Sequence, residues 1–130
     1  MLTVTRRYNL SLLHSIPEDN VGIECSGLHG HDFKLEVTVT KSPDFSSDNV
    51  INKNQLDHVV QTEILNPYNN TIINQSFSLG TGEVIAQNFL QKLKSVSDLP
   101  FRVVSVQLIE TRKNFFKAED SVLRSEVNYG

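Results

Sequence analysis

From Asp32 to Thr40 the chain alternates without an exception: Phe33, Leu35, Val37 and Val39 are apolar, while Asp32, Lys34, Glu36, Thr38 and Thr40 are polar. A period-two run of this length is a strand with one dry and one wet face, so it excludes an all-helical fold and demands an apolar cover for the dry side. A similar run opens the chain, where Leu2, Val4, Tyr8, Leu10 and Leu12 share one parity and only Arg6 interrupts it. Pro17, Glu18, Asp19, Asn20 and Gly22 separate the two runs with turn-forming residues, and Ser42-Pro43 closes the second.

The period then changes. Leu56, Val59, Val60 and Ile64 recur at helical spacing, which predicts a helix from about Lys53 to Leu65, ended by Pro67. A second helix is expected to start at Thr81, its hydroxyl accepting from the open amides of the first turn and Glu83 facing the positive end of the dipole. Ile85, Phe89 and Leu93 form its core stripe. Val104, Val106 and Leu108 predict a third strand by alternation, with Glu110 on the same parity, and a weaker fourth from about Phe116 to Arg124. The order ββααββ implies an α+β fold: a four-stranded antiparallel sheet with two helices on one face. Its open edges invite pairing with neighbouring subunits.

Residues 1–130 fit one domain. No apolar run reaches the ~20 residues of a membrane span, and no basic segment followed by an apolar block marks a secretory leader. A lone cysteine excludes an internal disulfide framework and suits a reducing cytoplasm. A net charge of −3 argues against nucleic acid as the main partner.

Chemistry concentrates in three of the four histidines. His29 and His31 stand two apart at the start of the strongest strand, ~6–7 Å apart along the backbone and on one face if the strand begins there. His14 extends the parity of Leu10 and Leu12. Antiparallel pairing of the first two strands would bring all three to one end of the sheet. Three imidazoles are the donor set of a catalytic zinc with one open position, although iron, nickel or copper would also accept them. Three roles stand open for Cys25: a fourth ligand closing the site, a buried apolar filler, or a thiolate that moves protons. Glu24 beside it is either a general base or a solvated carboxylate.

Cys25-Ser-Gly-Leu-His29-Gly-His31-Asp-Phe resembles the zinc-site motif of the 6-pyruvoyltetrahydropterin synthase and 6-carboxytetrahydropterin synthase family. The segment from Tyr8 to His14, the Gly80-Thr81-Gly82-Glu83 stretch and Ile109-Glu110-Thr111 resemble further family motifs in the same order. The resemblance implies the tunnelling fold, with sheets of three subunits joined into a barrel, trimers stacked into hexamers, and active sites between subunits. It implies a lyase acting on 7,8-dihydroneopterin triphosphate. His14, His29 and His31 would hold zinc, Cys25 would carry protons to and from the side-chain carbons, and Glu110 would accept from the pterin ring's N–H groups. Thr81 and Glu83 would help line the pocket, although a helix cap explains both.

The chain departs from the family pattern where that family carries an aspartate–histidine proton relay. The aligned positions are Asn69 and Asn70, and an amide cannot cycle a proton near neutral pH. A family aspartate upstream of the first helix aligns with Asn52. A Leu56-Asp57-His58 triplet exists about twelve residues too early. Two readings follow: a lyase in which Cys25 or Glu24 compensates for the lost relay, and a pterin-binding relative that keeps zinc without turnover. A third, a small assembly protein with purely structural zinc, is less well supported by the motifs.

Overall fold

The structure, a computed structural model, describes residues 2–16, 27–41, 51–72, 81–110 and 113–121. Strands β1 (Thr3–Ile16) and β2 (Gly27–Lys41) form one long antiparallel ladder. Helix α1 begins as Lys53–Val60, widens into a π turn over Gln61–Leu65 and finishes as Asn66–Tyr68. A two-residue strand β3 (Thr71–Ile72) follows, then α2 (Gly82–Lys94), β4 (Phe101–Ile109) and β5 (Phe115–Glu119). The sheet order is β3-β1-β2-β4-β5. The four long strands are antiparallel, as the alternation predicts, and β3 adds a parallel partner at Leu12 and Leu13 of β1.

One core joins both helices to one face of the sheet. Leu10, Leu12, Phe33, Leu35, Val37 and Val39 from β1 and β2 are buried with Leu56, Val59, Val60 and Ile64 of α1 and Ile85, Phe89 and Leu93 of α2. The opposite face is polar, with cross-strand pairs Thr5–Thr38, Arg7–Glu36 and Ser11–Asp32, and Lys34 donating to Asn9.

Three local expectations are corrected. Pro67 does not end the first helix, which continues to Tyr68. The π turn, closed by the Asn66 N–H donating to the Gln61 carbonyl, opens the ladder just before the residue that has no N–H to give. The third strand does not alternate from Val104. A bulge opposite Thr38 and Val39 pairs these with Ser105 and Val103, leaving Val104 as the extra residue. Phe101 and Val103 are therefore buried before the bulge, and Val106 and Leu108 after it. The fourth strand ends at Glu119.

Arg6, the charge on the core parity of β1, finds its partner in α1. Its Nε and Nη2 donate to the two carboxylate oxygens of Asp57 at 3.1 and 2.8 Å, and the Tyr8 hydroxyl donates to the same carboxylate at 2.7 Å. The Arg6 hydrogen bond holds the Asp57 carboxyl below the usual carboxylate range, with Tyr8 adding to it. Burial first, and the neighbouring Asp57 second, push the Tyr8 phenol well above its usual value. The lowered Asp57 pKa gives stability that is present above the unfolded carboxylate value of about 4 and is lost as pH falls below it. The raised Tyr8 pKa gives stability that is present below about pH 10 and is lost as pH rises above it. Urea unfolding across pH should show Asp57→Asn flattening the acid limb below about pH 4. Tyr8→Phe should cost about 1 kcal/mol at neutral pH and reduce the alkaline loss.

Candidate functional site at one end of the sheet

The hairpin register sets the geometry. His14 pairs directly with His29, and His31 pairs with Leu12, two positions along. All three histidines share the strand parity of the core residues Leu10, Leu12, Phe33 and Leu35. Their backbones lie in β1 and β2, and their side chains lie outside the described residues, as do Cys25 and Glu24 altogether. Gly30, between the two β2 histidines, pairs with Leu13, and a Cβ there would come 3.1 Å from Leu13 Cδ2. The glycine thus lets the Leu13 side chain lie close over the backbone between His29 and His31.

Glu110 sits at the same end. The β2–β4 ladder closes with Lys34 opposite Ile109, so Glu110 lies one step beyond it, two positions along β2 from His31. It is half-buried, and its N–H donates to the Asn114 carbonyl at 3.0 Å across the β4–β5 turn. Thr81 occupies the N-cap of α2 in an extended conformation, half-buried, but makes no side-chain capping bond. That corrects the expected cap. The exposed Glu83 lines a groove of about 610 Å³ between α2 and β5, together with Gln87, Phe115 and Lys117.

What draws α2's start to this end is Gly82. It is buried, and a Cβ on it would overlap the ring of Phe116, which pairs with Leu108 two residues before Glu110. Only a residue without a side chain lets the β4–β5 hairpin close over the first turn of the helix.

The asparagines at the relay positions are engaged with β1. The Ser11 N–H donates to Asn69 Oδ1 at 2.8 Å, and the Asn70 N–H donates to the Ser11 carbonyl at 2.7 Å. Asn70 has φ 63°, the left-handed region that asparagine tolerates after a helix. Sequence reading found the two residues but not this role. The signal was there, since an Asn pair directly after a helix end is a turn signature. On the helix-free side, Ser11, Leu13, Gly30, Asp32 and Asn70 contribute to a pocket of about 200 Å³. Asn52 caps α1, accepting from the Gln55 N–H at 3.1 Å.

The Asp57–His58 pair lies elsewhere. Asp57 is tied to Arg6 and Tyr8, and Tyr8 is six residues up β1 from His14, about 20 Å along the strand. His58 is exposed. Asp57 holds α1 to β1, and the triplet lies far from the histidine end.

The family model for 6-pyruvoyl tetrahydropterin synthase matches residues 3–121. The chain belongs to this family. The structure of the Caenorhabditis elegans 6-pyruvoyl tetrahydropterin synthase superimposes with a TM-score of 0.76 at 23% identity, covering 92% of this chain and 95% of that one. An uncharacterized protein, WS1659, from Wolinella succinogenes gives a TM-score of 0.61 at 15% identity over 92% and 98% of the two chains. No curated protein sequence matches the chain. The described fold is therefore the tunnelling fold of the tetrahydropterin synthases, and among the described residues no helix is long and apolar enough to cross a membrane.

Gly82→Ala tests how this end is built. The added methyl must displace the Phe116 ring or the helix start, and overpacking of this kind costs about 1–3 kcal/mol. Thermal unfolding should show the loss, and Gly82→Ala with Phe116→Leu should recover part of it.

Proposed function

We propose that this chain is a zinc-dependent lyase of the 6-pyruvoyl/6-carboxytetrahydropterin synthase type, acting on 7,8-dihydroneopterin triphosphate or a related pterin with weakened turnover. The observation that carries the reading is the register that pairs His14 with His29 at the sheet end where Glu110 stands. Two directly opposed histidines and a third two positions along fit the three-imidazole donor set of an open zinc site. Zinc held by His14, His29 and His31 supplies Lewis acidity toward the oxygens of the substrate side chain.

The chain's own residues do the rest. Glu110 accepts from the N–H groups of the pterin ring, as a carboxylate can with both oxygens. That fixes the ring and directs its side chain toward the histidines. Cys25, with Glu24 beside it, takes and returns protons at the side-chain carbons. Thr81, half-buried with its hydroxyl free of any capping bond, has a donor to offer the bound ring. Subunits join through their sheet edges, forming a trimer or hexamer in which sites are completed at the interfaces.

The second reading, a pterin binder without turnover, is favoured by one observation: the Asn69 amide is engaged with the Ser11 backbone, and neither Asn69 nor Asn70 can relay a proton. Losing a positioned acid–base group typically lowers rate by about 10²–10⁴. Incubation with dihydroneopterin triphosphate and analysis of products decides between the two. Slow formation of a tetrahydropterin supports the lyase, and tight binding without product supports the binder. Pterin affinity should fall by about 10- to 100-fold in Glu110→Ala, because the ring donors lose their acceptor.

Metal analysis tests the donor set separately. Purified protein should hold one divalent ion per subunit, and His29→Ala and His31→Ala should each lose it. Cys25→Ala should retain it. Equal loss in Cys25→Ala would mean a closed structural site and would overturn the open-site mechanism.

A further inference from the structure

We infer that Asn69 and Asn70 are positioning residues that lock the histidine-bearing end of β1, a role that rests on the zinc reading proposed above. β1 pairs with β2 along its whole length, yet among the described residues its other side has a strand partner only at Leu12 and Leu13, through β3. The two asparagines extend that cover by one residue. Asn69 Oδ1 accepts from the Ser11 N–H, standing in for a strand carbonyl, and the Asn70 N–H donates to the Ser11 carbonyl, standing in for a strand amide. The outward-facing backbone groups of Ser11 are therefore satisfied three residues before His14.

The clamp is itself held. The Asn69 N–H donates to the Leu65 carbonyl at 2.9 Å, and the Thr71 hydroxyl donates to the Tyr68 carbonyl at 2.5 Å, so the turn is bound to the end of α1. Asn70 reverses the chain in the left-handed region, which places Thr71 beside Leu12. At its other end α1 is fixed to β1 through Asp57. The helix therefore acts as a splint along β1. A strand terminus with one unpaired side frays more readily than one paired on both, and a metal whose ligands sit on that terminus binds more weakly when the ligands must first be ordered. In this chain the residues at the relay positions order a ligand strand.

The test uses the full chain in zinc-free and zinc-loaded forms. In zinc-free Asn69→Ala, amide hydrogen exchange at Ser11 should accelerate by about 10-fold, and zinc affinity, measured by competition with a chelator, should fall by about 3- to 10-fold, the range expected for one lost hydrogen bond. Asn69→Asp keeps an acceptor oxygen and should restore both values. Asn52→Ala weakens the same helix at its far end without touching Ser11. It should lower the melting temperature as much as Asn69→Ala does while leaving zinc affinity unchanged. Asn69→Ala with unaltered zinc affinity, or Asn52→Ala with an equal loss, would overturn the positioning role while leaving the zinc site standing. Wild-type protein that takes up no zinc would overturn the zinc reading and the positioning role with it.

Discussion

Everything at the candidate site depends on the register of one hairpin. β1 and β2 are paired residue for residue from Thr3↔Thr40 to Ile16↔Gly27, and the core parity of both strands holds along the way. A slip of β2 by one residue would carry Phe33, Leu35, Val37 and Val39 to the wet face, strand Glu36 and Thr38 in the core, and break the pairs Thr5–Thr38 and Arg7–Glu36. The hydrophobic cost of that exchange fixes the register. His14 and His29 then pair because they lie further along the same ladder. The stability of the core, from Val39 to Leu12, sets the alignment of the polar end.

That dependence explains what could be read from the residues. The strict alternation of β2, the helical stripes Leu56-Val59-Val60-Ile64 and Ile85-Phe89-Leu93, and the order of elements each follow from burial periodicity, and all those residues are buried. Where a local hydrogen-bond pattern overrides periodicity, the reading failed. The bulge at Val104 is invisible in a run where both parities are apolar. The π turn before Pro67 has no pattern of its own. Thr81 has the type of a cap but not the bond. The match of four short motifs in order predicted the family correctly, since the family match over residues 3–121 does not depend on those local errors.

The polar contacts of α1 show how a residue out of pattern can announce its partner. Arg6 breaks the apolar parity of β1, and a charge on the core side of a strand needs a counter-charge or a route to solvent. Asp57 supplies the first, on the helix that crosses that stretch of β1, and Tyr8 completes the set. From spacing alone, Asp57 and His58 look like a displaced catalytic pair. In three dimensions the aspartate has a full set of structural partners, and the histidine beside it faces solvent.

An amide in the place of a titratable group keeps an acceptor oxygen and gives up the exchangeable charge. Asn52 retains the oxygen acceptor that an N-cap needs, so a carboxylate-to-amide exchange there preserves the helix start. Asn69 likewise retains an acceptor, and its partner is a backbone N–H that asks for nothing more. Asn70 adds a tolerance for positive φ that few other residues offer. At each position the amide supplies a hydrogen bond or a backbone conformation without the ability to gain or lose a proton. The backbone contacts that join α1 to β1 are insensitive to that loss, whereas any proton transfer at these positions depends on it entirely.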